Sequence, residues 1–160
     1  MKIGIIADTH DNIIAIQKAV SFFNAQELEY VIHAGDYVAP FSLKELVKVR
    51  AKLVGVFGNN DGERKGLLSI CKDIHEPPYD ILWDGKHIVV THMLESLSKK
   101  STQNTDIIIS AHTHVSKIGG GYPLYLNPGE CCGWLSGKST VMIVDIARRH
   151  AEVIDLSSRQ

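Results

Sequence analysis

The sequence is short of cysteine, of net charge and of long apolar runs, and each shortage closes off a class of protein. Three cysteines, two of them adjacent at Cys131 and Cys132, cannot make the evenly paired framework of a disulfide-stapled secreted domain. Lys+Arg 17 against Asp+Glu 18 leaves a formal charge of -1, which argues against a broad basic surface for nucleic acid. No apolar run passes about half a dozen residues, so no transmembrane span is expected. The Ile3–Ala7 run is too short for the core of a signal peptide, and a cytoplasmic location is expected. At 44% hydrophobic the chain is not disordered. One domain over residues 1–160 is expected to bury roughly 69% of its unfolded surface. What the sequence has in surplus is histidine, eight in all.

Hydrophobic periodicity gives the outline. Ile3–Ala7, Tyr30–His33 and Leu53–Phe57 read as strands, separated by helical patterns. Asp11-Asn12 can cap a helix whose Ile16, Ala19, Val20 and Phe23 share a face. Ser42…Glu45 has capping-box spacing and predicts a helix running to Arg50. This β-α-β-α-β order predicts parallel strands with crossover helices. Asp80–Val90 reads as a hairpin turning at Asp84-Gly85, and Ile107–Ile109, Leu124–Leu126, Val141–Val144 and Val153–Leu156 are further strands. An α/β front half and a β-rich back half predict two sheets packed face to face with helices outside.

The polar residues gather at strand ends. Ile3–Ala7 runs into Asp8-Thr9-His10, Tyr30–His33 into Gly35-Asp36, and Leu53–Phe57 into Gly58-Asn59-Asn60-Asp61. Val90 is followed by Thr91-His92, and Ser110 by Ala111-His112-Thr113-His114. If the strands point the same way, all five clusters meet at the carboxyl edge of the sheets, where α/β proteins place ligands. Mixed imidazole, carboxylate and amide donors suit Mn, Fe, Zn, Ni or Co rather than calcium or an all-thiolate site. In extended backbone, positions i and i+2 face the same way, so Asp8/His10 and His112/His114 are each expected to aim two donors at one centre. Seven donors exceed what one ion needs and suit two ions sharing a carboxylate, with Asp36 the expected bridge.

These motifs, D-x-H, G-D, G-N-x-D, a lone H and H-x-H in that order, resemble the calcineurin-like metallophosphoesterase superfamily, and within it the small prokaryotic phosphodiesterase branch. The resemblance implies a four-layer α/β/β/α sandwich of two mixed β-sheets flanked by helices. It implies one ion on Asp8, His10, Asp36 and His114 and a second on Asp36, Asn59, His92 and His112. The chemistry implied is hydrolysis of a small phosphodiester by a hydroxide held between two divalent ions. The superfamily usually has histidine where Asn60 stands, with Asp61 orienting it, so Asn60 and Asp61 are the candidate catalytic pair and Asn60 also a substrate contact. An amide cannot lend a proton, so diesters with acidic leaving groups are the expected substrates. Met93 follows His92 where glycine is common, and is expected to line the substrate pocket.

The remaining features are assigned more modest roles. His33 is expected to support or pack beside Asp36, and His75, His87 and His150 to lie at the surface. Cys131 and Cys132 have no C-x-x-C partner and are expected to pack. Gly119–Gly121 reads as a loop, Asn127-Pro128-Gly129 as a turn that the resemblance puts near the site, and Glu130 is unassigned. A short or cyclic nucleotide remains a candidate substrate, and a homo-oligomer is left open. Two other functions compete: a non-catalytic protein-binding scaffold on the same fold, as in the retromer subunit that resembles this branch, and a phosphomonoesterase, which would want the absent histidine.

Overall fold

Eleven short strands and three helices are assembled in a computed structural model that describes residues 1–98 and 102–157. The front half alternates as the periodicity predicts: β1 (Lys2–Ile6), α1 (Ile13–Asn24), β2 (Tyr30–His33), α2 (Pro40–Leu46), β3 (Lys52–Val56), α3 (Arg64–Ile70) and β4 (Ile74–His75). The back half holds β5 (Tyr79–Trp83), β6 (Lys86–Val90), a single 3-10 turn at Leu94–Ser96, β7 (Ile107–Ile109), β8 (Lys117–Gly119), β9 (Leu124–Asn127), β10 (Thr140–Asp145) and β11 (His150–Asp155).

The first sheet runs β11-β10-β1-β2-β3-β4 and the second β5-β6-β7-β9-β8. Strands β1 to β4 are parallel, as are β6, β7 and β9, while β10, β11, β5 and β8 join antiparallel. Both sheets are therefore mixed. Side-chain alternation divides β1 cleanly. Ile3 and Ile5 face the second sheet, where they meet Ile88, Val90, Ile107, Ile109 and Leu126, while Ile6 faces the helices. Ile5 is fully buried, and Ile5→Ala would destabilise by about 2–5 kcal/mol through lost burial and an unfilled cavity. Gly4 gives α1 room: a Cβ there would stand 2.6 Å from Cε1 of Phe23.

The expected sandwich of two sheets with helices outside is present, with the helices unevenly shared. Among the described residues all three pack on the first sheet, through Ile16, Phe23, Leu43, Leu46 and Leu67. Beside the β6–β7 crossover, with its 3-10 turn, lies a cavity of about 670 Å³ lined by Leu94, Leu97, Thr113, Val115 and Tyr125. None of the expected metal ligands lines it.

Local expectations fare differently. Asn12 caps α1, its Oδ1 accepting from Ala15 N at 3.2 Å. Asp84 and Gly85 both take positive φ, 52° and 70°, as a type I′ hairpin turn needs. The capping box at Ser42 does not open α2. Pro40 sits in its first turn with its φ already set for a helix, so Ser42 falls inside and its hydroxyl donates to Ala39 O at 2.8 Å. The helix ends at Leu46, and Val47 and Lys48 continue only as a turn. Gly119 closes β8 rather than belonging wholly to a loop. α3 has only one buried side chain, Leu67, too weak a stripe to read from the sequence.

Candidate metal centre

Five strands deliver the site. β1, β2, β3, β6 and β7 lie parallel within their sheets and end on Asp8, Asp36, the 58–61 turn, His92 and the 111–114 turn respectively. The main chain ties these ends together. Asp8 N donates to Gly35 O at 3.0 Å, and Thr9 N and His10 N both donate to Asp36 O. Ala111 N donates to His92 O at 2.9 Å. Gly35, at φ 103°, is required here on two counts: its backbone is left-handed, and a Cβ would stand 2.6 Å from His92 Nδ1.

The donors do not converge by strand alternation, as expected for the two i, i+2 pairs. Asp8, His10, Asp36, His112 and His114 all have positive φ, between 38° and 68°, in tight turns past the strand ends. Left-handed backbone at non-glycine residues is strained, and such strain gathers at functional sites. Folding the chain back in this way brings Asp8, His10 and His114 together, while His112 stays exposed.

The imidazoles are oriented by their second nitrogens. His92 Nδ1 lies 2.9 Å from Ala34 O, which only accepts, so Nδ1 carries the proton and Nε2 is left with a lone pair. His114 Nδ1 lies 3.0 Å from Glu130 Oε2, with the same consequence. His92 Nε2 is then 3.3 Å from Asp36 Oδ2, His114 Nε2 3.6 Å from Asp8 Oδ1, and His10 Nε2 3.5 Å from Asp36 Oδ2. Asp8 Oδ1, His10 Nε2 and His92 Nε2 are buried without a hydrogen-bond partner among the described residues. Unpaired buried acceptors cost on the order of 1–3 kcal/mol each, and a cation among them removes the cost. The residues therefore fit a metal. Asp8, His10 and His114 form one group with donors within 4.8 Å of one another, and Asp8, Asp36 and His92 form another.

The electrostatics agree. Burial pushes the Asp8 carboxyl up to about 6, against the pull of His92 and His114. Burial also raises Asp36, but the nearby His92 ring and the hydrogen bonds from Asn60 outweigh it and hold that carboxyl well below its usual range. His10 is lowered by its burial. For His92, burial works downward, and the Asp36 carboxylate and the Ala34 carbonyl raise it nonetheless.

The other expected site residues are placed as follows. His112 is exposed; its ring meets His92 edge-on at 5.2 Å and its main-chain N–H donates to Asp8 Oδ2 at 3.3 Å. Asn59 is exposed on the loop after β3 and makes no contact that joins it to the other donors. Asn60 does reach the centre: its amide donates to Asp36 Oδ2 at 2.7 Å and its main-chain N–H to Oδ1 at 2.9 Å. Asp61, expected to pair with Asn60, is turned inward. It is 2% exposed and accepts from Asp36 N at 3.0 Å, Val38 N at 2.8 Å and Gly58 N at 2.6 Å. Three backbone donors claim its oxygens because the two loops it joins have no ladder partners. Met93 is 37% exposed, with its carbonyl accepting from the Thr91 and Ser96 hydroxyls.

Supporting residues surround these. His33 is fully buried and stacks on Tyr37, and burial lowers its pKa to about 3, so it is neutral. Its Nδ1 accepts from Gly35 N, which leaves Nε2–H to donate to Thr9 Oγ1 at 3.1 Å. Asn127 donates to Ala111 O and Thr113 Oγ1, so the Asn-Pro-Gly turn braces the His112–His114 segment. Cys131 and Cys132 are buried and free. His75 stacks on Tyr79, His87 pairs with Asp80, and His150 is exposed.

Two further residues stand behind the centre, one left unassigned by the sequence and one unmarked by it. Glu130 is fully buried and holds His114, and Trp134 stands beside His10 with ring centroids 6.2 Å apart. Neither belongs to a ligand-spaced motif; the only signal was an acidic residue directly after a turn assigned to the site.

A phosphodiesterase from Methanocaldococcus jannaschii is 37% identical over 172 residues, covering 98% of this chain and 99% of its own length. The solved structure of an archaeal phosphodiesterase superposes with a TM-score of 0.88 at 35% identity, over 97% of this chain and 99% of that one. The fold is also shared with zinc-bound Vps29 from Entamoeba histolytica, at 16% identity and a TM-score of 0.70, over 98% of this chain and 99% of that one. The family model of the calcineurin-like phosphoesterase superfamily domain matches residues 1–149, and this chain belongs to that superfamily.

Proposed function

We propose that the protein is a metal-dependent phosphodiesterase that binds two divalent transition-metal ions. Asp8, His10, Asp36 and His114 would hold one, and Asp36, Asn59, His92 and His112 the other. The observation that carries this reading is the set of buried polar atoms, Asp8 Oδ1, His10 Nε2 and His92 Nε2, gathered around the Asp8 and Asp36 carboxylates with no hydrogen-bond partner among the described residues. When bound, such ions supply positive charge that acidifies water and offsets charge on the phosphoryl oxygens.

The chain's own residues do the rest. Ala34 O and Glu130 fix the tautomers of His92 and His114, so both present Nε2 without rearrangement. Asn60 holds both oxygens of Asp36 in place and offers no acid. Attack of water on phosphorus breaks the bond to one ester oxygen, giving a phosphomonoester and an alcohol or phenol. With no proton donor at Asn60, leaving groups that depart as anions are favoured.

The test is metal analysis of the purified protein with turnover of bis(p-nitrophenyl) phosphate in Mn²⁺, Ni²⁺ or Co²⁺. Turnover that requires metal and is lost in Asp36→Ala is expected. A protein that binds no metal and turns over no diester would belong to the scaffold class instead.

A further inference from the structure

The segment after the Asn-Pro-Gly turn is bound to the end of β1. Cys131 N donates to Ala7 O at 2.9 Å and Cys132 N to Asp8 O at 3.0 Å, while the Asn12 amide donates to Cys132 O at 2.8 Å. From there Gly133, at φ 70°, turns the chain outward, and Gly137, at φ 73°, turns it back. Between them, the main-chain N–H groups of Trp134, Leu135 and Ser136 all donate to the buried Glu130 carboxylate. The loop is thus fixed to the carboxylate that also orients His114.

This fixed loop holds an indole out in water. Trp134 is 63% exposed, although its ring lies 6.2 Å from that of His10 with planes 28° apart. His10 in turn is stacked 5.2 Å from His114 at 27°. Three rings therefore follow one another from His114 through His10 to Trp134, each tilted by under 30° from the next. A lone exposed aromatic needs no explanation. An indole whose main chain is anchored at the rim of a metal centre, and whose ring leans on that of an expected ligand, presents an exposed aromatic surface on which a flat ligand group can stack.

We propose that Trp134 is a stacking platform that selects phosphodiesters in which an ester group carries a planar aromatic ring, aryl or nucleobase, with the phosphorus held near Asp8 and Asp36. The inference rests on the phosphodiesterase reading above and names its substrate class. Base–aromatic stacking contributes about ten- to a hundredfold in affinity. It also suits the lack of an acid at Asn60, since aryl leaving groups depart without protonation.

The test uses binding rather than turnover. The chain has two tryptophans, so Trp83→Phe leaves Trp134 as the single indole reporter. The Zn²⁺-loaded protein is titrated with phenyl phosphate, adenosine monophosphate, methyl phosphate and inorganic phosphate. Quenching by phenyl phosphate, adenosine monophosphate or both, without quenching by the other two, is expected, and which of them quenches tells aryl from nucleobase. In the wild-type background, Trp134→Ala should raise Kd for the planar ligands about ten- to a hundredfold. Methyl and inorganic phosphate should stay within about twofold, and Trp134→Phe should restore part of the preference. Equal quenching by all four ligands, or equal weakening of all four in Trp134→Ala, overturns the platform. If the wild-type protein binds no phosphate and turns over no diester, the phosphodiesterase reading falls and the platform with it. Phosphate binding without a planar preference overturns the platform alone.

Discussion

His114 Nδ1 lies 3.0 Å from Glu130 Oε2, so a fully buried carboxylate stands behind an expected metal ligand. Carboxylate–histidine pairs of this kind fix the ring's tautomer and raise the basicity of the ligating nitrogen, and losing one costs about 10–100-fold in metal affinity. Glu130→Gln keeps an acceptor but removes the charge. We expect Mn²⁺ affinity to fall by about tenfold or more, measured by calorimetric titration, although Glu130 need not touch the ion. Affinity unchanged in the variant would remove Glu130 from the metal site.

The same carboxylate shapes acid stability. Burial raises Glu130, but hydrogen bonds from Ser136, Cys132 and His114 outweigh it and hold the group well below its ordinary value of 4.5. A depressed carboxyl stabilises the fold above its unfolded pKa, and that contribution is lost as pH falls below 4.5 toward the folded value. The wild type should therefore lose Tm more steeply than Glu130→Gln as pH is lowered through this window. Parallel Tm profiles for the two proteins would contradict it.

Asp61 should matter more to stability than to catalysis. Its oxygens accept the main-chain N–H groups of Asp36, Val38 and Gly58, which joins the loops after β2 and β3. Hydrogen bonds to charged groups contribute about 1.5–3 kcal/mol, and Asp61→Asn turns a donor toward at least one N–H. A loss of about 2 kcal/mol, or roughly 4–8 °C in Tm for a chain of this size, is expected. Metal-saturated kcat well below the wild type with Tm unchanged would return Asp61 to the catalytic role its motif suggests.

Much of this site is legible in the sequence because strand ends announce themselves. Apolar runs stop at Asp8, Asp36, Asn59, His92 and His112, and parallel pairing then brings most of those stops to one edge. The geometry that aims the donors is not legible, because left-handed φ at Asp8 or His114 has no glycine to mark it. The bracing role of Asp61 is not legible because its motif spacing is the same whether or not its oxygens accept three backbone amides. The start of α2 was lost to competition between two local signals, with Pro40 prevailing over the Ser42 box. Glu130 and Trp134 act through tertiary contacts to His114 and His10, 16 and more residues away, which no local spacing encodes.

The cysteines should be inert in the folded state. Burial pushes the Cys131 and Cys132 thiols up to about 12, and it raises Cys71 as well. The thiolate is the reactive species, so alkylation at pH 8 is suppressed both by charge and by access. Mass spectrometry after iodoacetamide treatment should find no added label on the native protein and three after denaturation. Rapid native labelling at Cys132, which donates to Glu130 Oε2, would mean that the loop carrying Trp134 opens readily.

Asn60 offers the sharpest control over chemistry. Its amide is a donor to Asp36 Oδ2 at 2.7 Å, and it has no proton to give a departing oxygen. Aryl diesters lose a stable phenolate and need none, whereas alkyl leaving groups do. Asn60→His installs a group that titrates near neutral pH, and general acid catalysis is worth about 10²–10⁴-fold where it is needed. The expected outcome is a shallower dependence of kcat on leaving-group pKa, measured across a series of methyl aryl phosphates. Rates should rise for the poorest leaving groups and change little for p-nitrophenolate. An unchanged slope would mean that the residue at this position acts only by holding Asp36.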